Sequence, residues 1–230
     1  MGVVEKLQQL IEAAKKQATV AVDTAVFNHP LAQATDWYPM AGGGANFQTH
    51  RLDASNPDRL VFKCTPGAYW FAGIFCFVGV LGLLIPLAIF FTQGMQEWSL
   101  LFAFFFGGIF FAAGSLMMYF MTIPRVFDTF YGVYYKARKK PQDQMRSHHN
   151  NLSKQQSVKR KTARLSEIKA VQVIPERVSS KNSSYYSYEI NLVLDDASRI
   201  NVIDHGKHEA VINDAQMLAT QLGVPLWDAS

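Results

Sequence analysis

WFAGIFCFVGVLGLLIPLAIFF at residues 70–91 and WSLLFAFFFGGIFFAAGSLMMYFMT at residues 98–122 are the stretches that decide the fold. Neither stretch contains Asp, Glu, Lys, Arg or His. An α-helix needs roughly 20 apolar residues to cross the hydrocarbon core of a bilayer, and both stretches reach that length. Only residues 92–97 separate them. The pattern therefore predicts a transmembrane hairpin over residues 68–123 in a membrane protein of the α+β class.

The charged residues that flank the two stretches predict the orientation of the hairpin. Lys and Arg precede the first stretch and follow the second closely, whereas residues 92–97 contain Glu97 and neither Lys nor Arg. Positively charged flanks stay on the cytoplasmic side of a membrane. We therefore expect both ends of the chain in the cytoplasm. The cysteines are Cys64 and Cys76 alone, which suits a reducing compartment.

Small residues recur inside both stretches at spacings that allow helices to approach closely. The predicted helix-packing positions are Gly79, Gly82, Gly108, Ala112 and Ser115. Packing of the hairpin on itself is the first interpretation, and contact with a partner protein is the second. Because no ionisable side chain lies at bilayer depth, an ion or proton pathway is disfavoured. The hairpin is thus predicted to be an anchor.

Residues 124–230 predict a cytoplasmic domain of short strands followed by one helix. Strands are expected at 125–128, 132–138, 170–174, 185–194 and 199–203, and 162–165 is a further candidate strand. In the fourth of these, Ser187, Glu189 and Asn191 alternate with apolar residues, which is typical of a strand with one face in solvent. The helix is predicted from apolar residues at helical spacing, which are Val211, Ala215, Leu218 and Leu222. Gly223 and Pro225 end it.

Three segments of this region resemble the pleckstrin-homology-like (PH-like) domains of bacterial membrane proteins. They are FDTFYGVYYKARKK at 127–140, SYEINLVLDDASRINVIDHG at 187–206 and LGVPLWD at 222–228. The resemblance implies an antiparallel β-sheet or barrel closed by a C-terminal helix, a bacterial inner-membrane location, and no catalytic residues. Such a domain has more strands than residues 124–230 supply. We therefore hypothesise that a hairpin within residues 31–67, with strands at 47–54 and 59–65, joins the C-terminal sheet.

The N-terminal residues 1–30 predict an amphipathic helix, because apolar residues recur there in a heptad pattern. Val4, Leu7 and Ile11 are its candidate contacts with a partner helix. Docking on the domain or on a partner is the first interpretation, the membrane interface is the second, and self-association is the third. The glycine run at residues 42–44 is predicted to be a flexible turn.

A basic loop is predicted over residues 139–164, which contain many Lys and Arg residues and one acidic residue, Asp143. The possible contacts to lipid headgroups in and beside this loop are Lys136, Arg138, Lys139, Lys140, Lys159, Arg160 and Lys161. A solvated loop that fixes the membrane orientation is the first interpretation. Attraction to anionic headgroups is the second. Binding to nucleic acid is disfavoured because aromatic stacking surfaces are scarce in the loop.

No residue pattern in the sequence predicts catalysis, a metal site or a cofactor. The histidines are expected at the surface, and they lack further ligands at workable spacing. The predicted function is that of a membrane-anchored, non-catalytic binding, scaffold or regulatory subunit that engages a protein partner or a second copy. One alternative is a membrane protein that binds anionic lipid headgroups. The other is a component of a membrane enzyme or transporter.

Overall fold

A computed structural model describes residues 22–93, 98–138, 162–179 and 183–230. The chain divides into two compact units. The sheet unit comprises residues up to Lys63 and from Pro124 onward, and the helix unit comprises Cys64–Ile123. The predicted partner-helix contacts Val4, Leu7 and Ile11 lie outside the described residues, as does most of the basic loop.

The described residues form nine β-strands and four α-helices. The strands are β1 His50–Asp53, β2 Arg59–Cys64, β3 Arg125–Asp128, β4 Val133–Lys136, β5 Thr162–Arg164, β6 Ile168–Ser179, β7 Ser184–Leu194, β8 Arg199–His205 and β9 Leu226–Asp228. The helices are α1 Pro30–Ala34, α2 Pro66–Gln93, α3 Trp98–Met121 and α4 His208–Leu222. The chain is therefore of the predicted α+β class.

The first sheet has the strand order β1-β2-β3-β4-β5. Its β2 precedes the two apolar helices and its β3 follows them, yet the two strands pair antiparallel, with Leu60 opposite Phe127. This is the pairing that the sequence hypothesis requires. Leu60 and Phe62 are buried, and Arg59 and Lys63 are exposed. The alternation places one face of β2 in the core, which fixes its register.

The second sheet has the order β8-β7-β6-β9. Strands β6, β7 and β8 pair antiparallel, but β9 pairs parallel to β6, with Gln172 opposite Trp227. The expectation of a purely antiparallel sheet is wrong at this edge. Helix α4 ends at Gly223, whose φ is 66°, and Pro225 keeps the following chain extended beside β6. Among the described strands, neither sheet closes into a barrel.

Both sheets and α4 bury their apolar side chains in one shared core. The first sheet contributes Leu52, Leu60, Phe62, Phe127, Tyr134 and Ala163. The second contributes Ile168, Val171, Val173, Ile190, Leu192, Leu194, Ile200, Val202 and Ile203. Helix α4 adds Val211, Ala215, Leu218 and Ala219. The predicted apolar face of the closing helix is confirmed at Val211, Ala215 and Leu218, all of which are fully buried.

The described N-terminal residues do not continue the helix predicted over residues 1–30. Thr24–Phe27 form one 3-10 turn, Asn28 adopts a left-handed conformation with φ of 45°, and α1 begins at Pro30. A proline has no N–H to donate to the preceding turn, and its ring clashes with it. The prediction is therefore wrong from residue 22 onward, and its earlier part lies outside the described residues.

Helices α2 and α3 are long and apolar enough to cross a membrane, with only 11% of the most apolar 18-residue window of each buried in the described chain. They contact each other through glycines. A Cβ added to Gly79 would overlap Phe111, one added to Gly82 would overlap Gly107, and one added to Gly114 would overlap Cys76. Gly79 and Gly82 thus face α3.

The residues of α3 that meet α2 differ from those expected. A Cβ on Gly108 would meet open space, and Ala112 and Ser115 are exposed. Gly107 and Gly114, seven residues apart, face α2 instead. Two stripes of small residues run along α3 at nearly the same spacing. Helix α3 is rotated so that the stripe containing Gly107 faces α2.

A single methyl group is expected to have opposite effects on the two adjacent glycines. Gly107→Ala should lower the thermal stability of the detergent-solubilised protein, because its Cβ would lie 2.5 Å from the Gly82 carbonyl carbon. Overpacking of this kind costs about 1–3 kcal/mol. Gly108→Ala is the matched control and should raise stability by up to about 1 kcal/mol through helix propensity. Equal effects of the two changes in a melting experiment would contradict the observed packing.

Candidate functional site

The outer face of the second sheet, which points away from the shared core, is lined with polar side chains. We call it the polar face, and its residues are Gln172, Glu176, Ser187, Glu189, Asn191, Arg199, Asn201 and Asp204. Strand register places Glu189 opposite Asp204 and Asn191 opposite both Gln172 and Asn201. Alternate residues of a strand point to one face, so these side chains lie together.

A segment from near the N-terminus covers the polar face. We call residues 36–45 the strap. The strap joins α1 to the chain leading into β1, and Ala45 bridges His205 at the end of β8. As a result, Ser187, Glu189 and Asn191 are all fully buried. The predicted solvent-facing side of β7 is therefore wrong, because another part of the chain takes the place of solvent.

Glu189 accepts hydrogen bonds from two consecutive backbone N–H groups of the strap. Met40 donates to one carboxylate oxygen at 2.9 Å, and Ala41 donates to the other at 2.5 Å. The Asn191 side-chain amide donates to the same carboxylate at 3.0 Å. A buried carboxylate is costly unless such donors satisfy it. The three bonds explain how Glu189 is tolerated at 0% exposure.

The glycine run 42–44 is held against the polar face. The Gly43 N–H donates to both oxygens of Glu176, at 3.1 and 3.0 Å, and the Tyr185 hydroxyl donates to the Gly44 carbonyl at 2.7 Å. Gly43 has φ of 82°, a conformation that favours glycine. A Cβ on Gly44 would overlap Asp204 and Ser187. The run is thus a fitted part of the strap and not the flexible turn expected.

Arg199 fixes the first half of the strap. Its guanidinium donates to the Tyr38 carbonyl at 2.8 Å and lies over the Tyr38 ring, 5.0 Å from the ring centroid. Gln172 donates to the Asp36 carbonyl at 3.1 Å. A guanidinium over an aromatic face is attracted by the ring quadrupole. Side chains from β6 and β8 therefore bind the strap backbone at successive positions.

An apolar cluster anchors the start of the strap and the chain that precedes it. We call it the anchor cluster, and its residues are Phe27, Leu31, Ala32, Trp37, Ala170, Val193 and Trp227. Phe27 stacks on Trp37 with ring centroids 4.9 Å apart, and the Trp37 indole donates to the Ala32 carbonyl at 2.7 Å. Trp227 of β9 is buried beneath these residues. Strand β9, which was not predicted, therefore provides the buried side chain against which the N-terminal residues pack.

Burial shifts the acid–base properties of the polar face. Desolvation raises the pKa of Asp204 to about 7; the Ser187 hydroxyl, which donates to it, opposes the rise, and the charges of Glu189 and Glu176 add to it. Desolvation also raises the pKa of Glu189, against the hydrogen bonds from Met40, Asn191 and Ala41. The pKa of Arg199 is lowered, chiefly by desolvation. The pKa values of both Glu189 and Asp204 are therefore higher than those of exposed carboxyls.

A second buried polar group links the two sheets inside the core. The Arg125 guanidinium of β3 donates to the Val202 carbonyl of β8 at 3.0 Å and lies 2.6 Å from the His50 imidazole. His205 is fully buried, and desolvation lowers its pKa to about 4. The expectation that His205 lies at the surface is wrong. Asp204, the preceding residue in β8, points to the outer face of the sheet, so His205 points inward.

The residues predicted to bind lipid are only partly described. Lys136 lies in β4 and is half-buried, and Arg138 follows that strand and is exposed. Lys139, Lys140, Lys159, Arg160 and Lys161 lie outside the described residues. Residues 162–164, at the end of the predicted basic loop, form strand β5, which lies within the candidate strand at 162–165, and Ala163 is buried in the core.

The turn between β3 and β4 presents two aromatic rings to solvent. Phe130 is 78% exposed and Tyr131 is 41% exposed, with ring centroids 5.0 Å apart. Thr129 ties this turn to the β1–β2 turn through a 3.0 Å bond from its N–H to the Asp58 carbonyl. We call residues 129–131 the aromatic turn. Large exposed aromatic side chains are typical of binding surfaces.

Comparison with known proteins adds no family to these observations, since no family model, curated protein or solved structure matches the chain. Within the described ranges, no group of three or more His, Cys, Asp and Glu side chains is placed to hold a metal ion. The polar face uses Glu176, Glu189 and Arg199 to bind the strap backbone. The geometry is that of an intramolecular binding site.

Proposed function

We propose that this protein is a membrane-anchored, non-catalytic binding or scaffold protein, with its sheet unit at the cytoplasmic face of the membrane to engage a protein partner. The observation that carries the proposal is the pairing of β2 with β3 around the apolar helices. The helices enter the chain between two hydrogen-bonded strands of one sheet. An insertion of this kind attaches the sheet unit to the membrane in which we propose the helices lie.

The helices fit an anchoring role. The most exposed aromatic residues of α2 and α3 include Trp70 and Phe91, 75% and 76% exposed, and Trp98, 86% exposed. Apolar surfaces of this extent need lipid or protein to cover them. Neither helix contains a charged residue or a histidine, whereas ion and proton pathways use such groups at bilayer depth. A transporter is accordingly not our proposal.

The strand pairing also bears on orientation. Because β2 and β3 are directly hydrogen-bonded, the chain must leave and re-enter the sheet unit on one side of the membrane. This argument is independent of the positive-inside rule, which predicts the same arrangement from Lys and Arg alone. We therefore propose a two-span protein with both ends in the cytoplasm.

The sheet unit supports a PH-like interpretation in outline. Two sheets share one core with a helix near the C-terminus, as the resemblance implies. It differs from that expectation in β9, which follows the helix and pairs parallel to β6. The scaffold proposal does not depend on the family, because it rests on the inserted helices and the exposed aromatic turn.

We expect the aromatic turn to be the partner-binding surface. Purification of the native protein in mild detergent, followed by chemical crosslinking and mass spectrometry, should return a protein partner or a second copy. Phe130→Asp should abolish that crosslink, because it removes a 78% exposed aromatic anchor. Val26→Asp alters a residue of comparable exposure, 74%, and serves as the control. Recovery of neither a partner nor an oligomer from the native protein would contradict the proposal.

The second candidate function is binding to anionic lipid headgroups, which the basic composition of residues 139–161 favours. Each Lys or Arg near an anionic surface contributes about 1 kcal/mol. In this case a soluble version without the apolar helices should float with liposomes containing anionic lipid and not with neutral ones. Replacing Lys159, Arg160 and Lys161 with Gln should weaken flotation. Equal flotation with both lipids would remove this candidate.

A further inference from the structure

We propose that the strap is a proton-controlled clasp: the paired carboxyls of Glu189 and Asp204 hold it closed while a proton is retained, and loosen it when both are ionised. The two residues lie directly opposite each other on β7 and β8. Side chains in that relation have Cβ atoms about 4.5–5.5 Å apart, where like charges repel. The strap covers Glu189 fully and Asp204 in part.

The strap excludes water from Glu189, whereas Asp204 is half-buried beneath it. Glu189 is fully buried, and its carboxylate accepts N–H bonds from Met40 and Ala41 of the strap. Gly44 is packed so closely on Asp204 and Ser187 that no Cβ fits between them. Lifting residues 40–44 would therefore expose Glu189 to water and complete the hydration of the half-buried Asp204. The closed and open strap differ in the solvation of these carboxyls, which is what a proton-controlled equilibrium requires.

The charged groups around the pair are mostly acidic. Glu189 and Glu176 act on Asp204 from β7 and β6. Arg199 of β8 acts on Glu189 and is shared with Asp36 and Tyr38 of the strap. One guanidinium thus serves two carboxyl groups, those of Asp36 and Glu189. Ionisation of both Glu189 and Asp204 concentrates negative charge under a strap that is held mainly by backbone groups.

The direction of the pH effect follows from proton linkage. The pKa of Asp204 is about 7 under the closed strap, against 3.8 for an ordinary Asp, as expected once the strap opens. Between these values the open form loses its proton before the closed form does. Each pH unit then multiplies the opening equilibrium about tenfold, and above pH 7 the effect levels off. Glu189, whose pKa is also raised, acts in the same direction.

Amide hydrogen exchange measures the opening directly. In the full chain in detergent, protection factors of the Met40, Ala41 and Gly43 amides, corrected for intrinsic exchange, should fall about 50-fold from pH 5 to pH 7 and level at a fall of about 100-fold above pH 8. Asp204→Asn keeps the side chain neutral and should abolish most of that fall. Asp228→Asn, in β9, should leave it unchanged. Protection independent of pH in the native chain, or an unchanged fall in Asp204→Asn, would overturn the proposal.

A second variant tests the clasp if Asp204→Asn does not fold. Ser187→Ala removes the hydroxyl that donates to Asp204 and favours its charged form. The pH at which protection levels off should then move upward. A strap that is merely a structural cover would show a uniform loss of protection at every pH, with the levelling point unmoved. That result would also overturn the clasp.

Discussion

Replacing residues 65–122 with the dipeptide Asn-Gly should convert the chain, which we propose to be membrane-anchored, into a water-soluble, folded sheet unit. Phe62 lies opposite Arg125, so continuing the antiparallel register by two residues places Cys64 opposite Ile123. A two-residue turn joins strands in that relation, and Asn-Gly suits it. Expression without detergent should yield a monodisperse protein with a cooperative thermal transition. The core that supports it lies wholly in the sheet unit.

A shorter deletion serves as the control for this experiment. Removing residues 98–122 alone keeps α2 and its apolar surface, so the product should remain in the membrane fraction or aggregate. Solubility of both products would show that α2 needs no lipid. An insoluble or unfolded product from the full replacement would show that the sheet unit depends on the helices, against the insertion account.

Glu189→Ala should cause the largest loss of stability among single substitutions in the polar face. It leaves the buried donors of Met40, Ala41 and Asn191 without their acceptor, and it removes a compensating charge from Arg199. Leaving a donor without its acceptor in a buried site costs about 1–3 kcal/mol for each donor. Urea denaturation of the soluble version, or thermal unfolding in detergent, measures the loss.

Glu176→Ala is the matched control, because Glu176 also accepts an N–H of the strap but is only half-buried. Its loss should cost about 1 kcal/mol or less, since water can replace the carboxylate. A loss for Glu189→Ala no larger than that for Glu176→Ala would mean that the strap does not seal the polar face. Both variants remove one Glu carboxylate that binds the strap, so the comparison measures burial together with the number of donors left without an acceptor.

Features encoded in local sequence patterns were predictable. The charge-free stretches predicted α2 and α3, and the strands expected at 47–54 and 59–65 correspond to β1 and β2. The apolar spacing from Val211 to Leu222 predicted α4, because a helix that covers a sheet needs one apolar stripe. These elements depend on neighbours close in the chain.

Features that depend on distant packing were not predictable in the same way. Glu189 in β7 reads as a solvent-facing residue, because alternation does not distinguish water from a strap contributed by residues 36–45. A signal was present in Gln172, a polar residue in the otherwise apolar run of β6. Gly107 could not be chosen over Gly108 from spacing alone. Strand β9 is three residues long and has no period to detect.

Side-specific labelling of single cysteines in membrane vesicles tests the central claim, that the helices are a membrane insertion within one cytoplasmic unit. After Cys64 and Cys76 are changed to Ser, Ser55→Cys and Asp195→Cys probe the turns before and after the insertion. Both are predicted to react with an impermeant reagent from the cytoplasmic side alone, and Gln96→Cys from the opposite side alone. Labelling of Ser55→Cys and Asp195→Cys from opposite sides, or of all three from one side, would contradict it.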